Sequence, residues 1–204
     1  VRIVEDDPYW LLAEAPPPPV ATFAPEQVIY LSTLSKCLTP GLRVAFVRIA
    51  GARERERFLA ALRSFALMVA PLSAALATQW ILDGSAHTLM DGVRQEARLR
   101  HRLARDVLAG RYGGAGDGLH VWLPLPEYWR SAQLTRVANS EGLAITPAEA
   151  FRAEGQGREA ENAIRISLGS TRDRGHLHAG LQRLSQLLAR RPEPFAEAFG
   201  TAVV

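Results

Sequence analysis

Lys36 is the only lysine in the chain, and the other 23 of the 24 basic residues are arginine. Arginine stays charged under all physiological conditions. A lysine amine loses its proton when buried or set near other cations, and then becomes a nucleophile. Compositional bias accounts for the arginines but not for the one retained amine, so Lys36 is the first functional candidate. It lies in Ser32-Thr33-Leu34-Ser35-Lys36, and Pro40-Gly41-Leu42-Arg43 ends seven residues beyond it. Upstream stands Glu5-Asp6-Asp7-Pro8-Tyr9, and far downstream Asn162-Ala163-Ile164-Arg165-Ile166-Ser167. Each has an ordinary reading as well. Asp-Pro is common turn chemistry, a single lysine is usually a solvated charge, and an arginine in a strand is often ion-paired to a neighbour.

The elements decide whether these groups can meet. Residues 1–5 read as the end of a strand, and 28–32 and 44–50 as buried strands rich in β-branched and aromatic residues. Runs that are apolar on both faces belong inside a sheet covered by helices. Asp6 then falls at a strand end, where an open α/β sheet places its ligands. Helical patterns cover 52–64, 71–82 and a long 85–109. Strands are expected over 119–123, 143–145 and 163–168, with helices over 131–140 and 172–190. After Pro192 the periodicity is lost, which predicts a frayed tail. The front reads as part of a parallel α/β layer and the back as a small α+β unit. The front opens directly on a strand with no helix before it, so it reads as a piece whose upstream partner is left out.

Composition narrows the class. The chain has 204 residues, 48% hydrophobic and 22% charged, an ordinary globular profile. No apolar run approaches the ~20 residues of a membrane helix, and the start lacks a signal-peptide layout. Cys37, the one cysteine, excludes an internal disulfide and a cysteine zinc site. A soluble, cytoplasmic protein is expected. The net charge of +3 comes from 24 bases intermixed with 21 acids, which is weak evidence for a DNA-binding surface. Cys37 reads as a small core residue, and His176-x-His178 as too isolated for a metal. Arg94, Arg98, Arg102 and Arg105, interleaved with Glu96 and Asp106, read as a solvated helix face. Trp122 and Trp129 read as core and surface anchors of the back unit.

Three separated segments, in order, carry a resemblance: S-T-L-S-K-C-L-T-P-G-L-R-V-A-F-V, G-L-H-V-W-L-P-L-P and A-I-R-I-S-L. Together with the acids before Tyr9, they resemble the fold-type-I pyridoxal-phosphate enzymes. The wording is most similar to the aminotransferase-like domain of MocR-type regulators of the GntR family. The resemblance covers residues 1 to about 190. It implies a mixed α/β and α+β architecture, a partial transferase fold. Residues 1–84 would be the C-terminal part of the large cofactor-binding domain, 85–190 the small domain, and 191–204 a tail.

The resemblance also implies roles. Lys36 would form the internal aldimine with pyridoxal 5'-phosphate, its amine kept neutral by Arg43 and a desolvated site. Asp6 would face the pyridine nitrogen as a buried carboxylate, and Tyr9 the phenolic oxygen. Thr33, Ser35 and Arg43 would hold the phosphate with two hydroxyls and one planar fork. Arg165 would bind the α-carboxylate of an amino compound. The family's phosphate loop, ring-stacking aromatic and phenolic-oxygen asparagine lie upstream of such a strand and are not in this sequence. The cofactor is therefore expected to bind this piece weakly or not at all. Homodimerisation is implied, as is DNA binding through an upstream winged helix. Two functions stay open: a regulator that senses the cofactor or an amino compound, and an aminotransferase that exchanges an amino group with a 2-oxo acid.

Overall fold

The computed structural model describes residues 1–112, 118–153 and 161–192. The expected tail, from residue 193 onward, lies outside them. The chain divides into two compact units, Val1–Arg98 and Leu99–Val204.

The first unit holds a sheet of β1 (Ile3–Asp6), β2 (Val28–Thr33) and β3 (Ala45–Arg48), in that order. β1 and β2 are parallel, with Ile3 opposite Val28 and Asp6 opposite Leu31. Their connection includes a 3-10 turn at Trp10–Leu12 and a short helix α1 (Val20–Phe23), ample for a crossover. β3 corrects the expectation of a parallel layer, because it runs antiparallel to β2. A parallel return needs a crossover of a dozen or more residues, usually helical. Residues 34–44 offer only the 3-10 turn Pro40–Leu42, so the chain doubles back.

A second correction concerns burial. All four residues of β3 are exposed, and so are Ile3 and Val4 of β1. Helix α2 (Ala52–Ala66) has no buried residue and leaves Leu59, Leu62 and Phe65 exposed. The apolar pattern that predicted a covered sheet is present, but no described residue covers those faces. Helix α3 (Pro71–Leu82) and the long α4 (Ser85–Leu108) follow.

The second unit is an antiparallel sheet in the order β4 (His120–Pro124), β6 (Ala163–Ser167), β5 (Thr146–Pro147). Residues 99–108 of α4, with helices α5 (Ser131–Ser140) and α6 (Arg174–Ala189), complete it. One sheet face supplies Val121, Leu123, Ile164 and Ile166 to the core. Leu177, Leu181, Leu184 and Leu188 of α6 meet them, at the three-and-four spacing of one helix face. Each leucine so buried contributes about 1.5–3 kcal/mol. β5 lies at 146–147, not at the expected 143–145. Gly142, at φ 75, turns the chain out of α5, and Leu143 and Ile145 then pack against the core before pairing begins. Because strand side chains alternate, Trp122, Thr146 and Arg165 share the face turned away from the core.

Candidate functional site

In the first unit, one edge of the sheet gathers the expected residues. β1 and β2 both end there, at Asp6 and Thr33, and the antiparallel β3 begins there. Beyond the Thr33–Ala45 pair, the Leu34 N–H donates to the Val44 carbonyl at 3.4 Å. The strand direction that sequence patterning missed is what returns Arg43 to the edge carrying Ser35 and Lys36.

The loop after β2 is pinned from inside. Leu34 and Cys37 are buried, and the N–H groups of Leu38 and Thr39 both donate to the Leu34 carbonyl, at 3.0 and 3.1 Å. The Cys37 thiol contacts the Thr33 carbonyl at 3.6 Å, and burial pushes that thiol above its ordinary range. It is a core group. With these residues turned inward, Lys36 is left exposed. Thr33 Oγ1 accepts from the Ser35 N–H at 3.2 Å, which ties two of the expected phosphate donors together. Thr39 then caps the 3-10 turn, accepting from Gly41 N–H at 3.3 Å, with Pro40 in its first position. Arg43 leaves that turn with φ 53 and ψ 39. A side chain in this left-handed region costs roughly 1–2 kcal/mol, and glycine would avoid it. Such outliers concentrate at functional sites.

The three consecutive acids separate by partner. Glu5 accepts from the backbone N–H groups of Val20 and Ala21, at 2.8 and 2.9 Å, and so holds the start of α1. Asp7 accepts from Trp10 N–H at 3.0 Å and fixes the turn behind Tyr9. Burial first, and the Asp7 charge next, hold the Tyr30 phenol above its ordinary range. Asp6 alone of the three has no side-chain hydrogen bond or ion pair among the described residues, and it is exposed at the end of the edge strand. The buried carboxylate and desolvated amine that the resemblance implies for a complete cofactor site are not made by the described residues alone: Asp6 and Lys36 are both exposed, and no described residue covers this edge.

Tyr9 is half-buried at the head of the 3-10 turn Trp10–Leu12. That turn is anchored by buried Leu12 and by Arg94, whose Nε donates to the Leu11 carbonyl at 2.8 Å. Arg98 pairs with Glu14 at 2.8 Å. Arg98 and Glu14 are both exposed, in keeping with a solvated helix face. Arg94 instead braces the segment that carries Tyr9, and no local pattern distinguishes that role from solvation.

Arg165 belongs to the second unit. It lies mid-strand in β6, between Trp122 and Thr146 across the ladder. Its Nε is buried and has no hydrogen-bond partner among the described residues. Trp129 is a core residue, whereas Trp122 lies on the Arg165 face. His176 bonds through Nδ1 to Asp173 at 2.8 Å, at the start of α6.

No family model matches the chain. Among curated proteins, it is 33% identical over 188 residues to an uncharacterized HTH-type transcriptional regulator, YdeF, of Bacillus subtilis, covering 91% of this chain and 40% of that protein. It is 34% identical over 198 residues to 2-aminoadipate transaminase of Thermus thermophilus, covering 91% and 48%. The crystal structure of LysN, an alpha-aminoadipate aminotransferase of Thermus thermophilus complexed with N-(5'-phosphopyridoxyl)-L-leucine, matches with a TM-score of 0.76. Identity there is 30%, over 92% of this chain and 50% of that one. This chain belongs to the fold-type-I aminotransferase-like superfamily. A kynurenine aminotransferase from Pyrococcus horikoshii shares the fold, with a TM-score of 0.77 at 24% identity over 92% of this chain and 47% of that one. The aminotransferase-like chain thus spans about half the length of these relatives, or less.

The residues of the aminotransferase-like chain suit a phosphorylated aldehyde. One sheet edge offers an amine, a carboxylate with no side-chain partner among the described residues, the hydroxyls of Thr33 and Ser35, and a guanidinium held in a costly backbone conformation. No helix among the described residues is long and apolar enough to cross a membrane.

Proposed function

We propose that this chain is the aminotransferase-like part of an HTH-type transcriptional regulator, which binds pyridoxal 5'-phosphate and senses it or an amino compound. The observation that carries the reading is the convergence of Asp6, Thr33, Ser35, Lys36 and Arg43 on one sheet edge. The cofactor, when bound, supplies an aldehyde for amines and an electron-withdrawing ring. Lys36 Nζ would hold it covalently, and Asp6 would keep its ring nitrogen protonated. Tyr9 would donate to its phenolic oxygen. Thr33, Ser35 and Arg43 would take the phosphate, where each hydrogen bond to a charged group is worth about 1.5–3 kcal/mol. Arg165 would hold the carboxylate of an amino acid or amine-bearing ligand. Its buried Nε supports this reading, because an unpartnered buried donor costs about 1–3 kcal/mol that an acceptor would recover.

A second reading, a free-standing aminotransferase that passes an amino group from an amino acid to a 2-oxo acid, is favoured by the 34% identity to 2-aminoadipate transaminase. Both readings share the site, a cytoplasmic setting and a homodimer. They part at DNA binding, which we assign to a winged helix upstream in the regulator. The shared test is cofactor titration in the longer protein that carries this chain. A visible absorbance band that borohydride fixes, and that Lys36→Ala abolishes, is expected. A Lys36→Ala protein that keeps the band overturns the site. DNA binding by the same protein selects the regulator, and amino-group transfer without it selects the enzyme.

A further inference from the structure

On the coreless face of the second sheet, an aromatic pair borders Arg165. The guanidinium carbon of Arg165 stands 4.7 Å from the centre of the Phe151 ring. Phe151 ends the 3-10 turn Ala148–Phe151, which directly follows β5. Its ring meets Trp122 edge-on, with centres 5.7 Å apart and planes at 68°. Trp122 is itself fixed twice. It is the ladder partner of Arg165, and its indole N–H donates to Glu161 at 3.1 Å.

A cation this close to a ring is attracted by the negative face of the π-system. A carboxylate instead bonds a guanidinium in its plane, through two parallel N–H donors. The ring and the ligand therefore use different parts of one side chain. An arginine has many rotamers, and a ring fixed by Trp122 selects among them before the ligand arrives. Pre-organising the donor in this way lowers the ordering cost of binding.

We propose that Phe151, braced by Trp122, is a positioning residue that orients Arg165 for the carboxylate of the amino compound; this rests on the reading of Arg165 given above. Phe151 touches the arginine and acts on the ligand only through it. Thr146, the other ladder neighbour, offers no ring.

The test follows the Arg165 Nε–H resonance of the 15N-labelled longer protein that carries this chain, loaded with pyridoxal phosphate and identified by its disappearance in Arg165→Lys. The ring should shift its proton upfield of the exposed arginines. Phe151→Leu should remove that shift and speed exchange of the proton with water, while Phe151→Tyr should retain both features. L-Leucine, with L-leucinamide as the probe lacking a carboxylate, should move the resonance. Phe151→Leu should then require about two- to five-fold more L-leucine, and Phe151→Tyr no more than the natural chain. An Arg165 resonance with no ring shift in the natural chain, or one unchanged in Phe151→Leu, overturns the positioning role. A shift that Phe151→Leu removes but L-leucine never moves overturns the carboxylate reading instead and leaves the ring's hold on Arg165 standing.

Discussion

Thr33 of β2 faces Ala45 of β3 across an antiparallel pair, and this pairing sets Arg43 level with the loop that carries Ser35 and Lys36. The backbone of Arg43 is strained there, with a positive φ that a glycine would adopt freely.

Arg43→Gly is therefore expected to leave stability unchanged or raise it by up to about 1 kcal/mol, since relief of strain is offset by the extra freedom of glycine when unfolded. The same change should weaken binding of pyridoxal phosphate by about ten-fold or more, the loss of one charge-assisted contact. Arg43→Val keeps the strain and adds branching, so it should lose both. Thermal melts and absorbance titration separate the two quantities. A glycine variant that melts well below the natural protein would show that Arg43 holds the fold and not a ligand.

The neighbouring acids should behave oppositely. Glu5 and Asp7 are bonded to backbone N–H groups, so Glu5→Ala and Asp7→Ala should each cost about 1–2 kcal/mol. Asp6→Asn should stay within about 0.5 kcal/mol, as for a surface change without partners, and should remove cofactor binding. Denaturant midpoints check the first statement and absorbance the second. Equal destabilisation by all three would make Asp6 structural.

Arg165→Lys should weaken binding of a carboxylate ligand while leaving cofactor absorbance intact, because a point charge does not reproduce the planar fork. Parallel titrations with pyridoxal phosphate and an amino acid decide it. Joint loss of both would mark Arg165 as a structural residue.

Asp173 gives a pH dependence whose sign is fixed by its contacts. The His176 N–H, and then the His176 side chain, hold its carboxyl down at about 2. A carboxyl depressed on folding stabilises the fold above its unfolded value, and that contribution disappears as pH falls from about 4 toward 2. The melting temperature should drop through that window, and Asp173→Ala should flatten this part of the profile. A variant whose profile keeps the full slope would place the acid sensitivity elsewhere.

The sequence by itself determined which groups are available and roughly where each stands. One amine in an arginine-rich chain, acids at a strand end and an arginine within A-I-R-I-S-L are visible because residue type and alternation are local properties. The helices 71–82 and 131–140 were legible for the same reason, and coincide with α3 and α5. What only the tertiary structure decided depends on partners distant in the chain. Strand patterning has the same period in both directions, so the reversal of β3 could not be read from it. Three adjacent acids look alike until Val20 and Trp10 claim two of them. Arg94 looks solvated until the Leu11 carbonyl, far away in sequence, receives its Nε–H. Phe151 is one apolar residue among many until the 3-10 turn after β5 brings its ring to Arg165. The exposure of Asp6 and Lys36 among the described residues has the same physical reason: alternation says which face is apolar, but not whether anything is packed upon it.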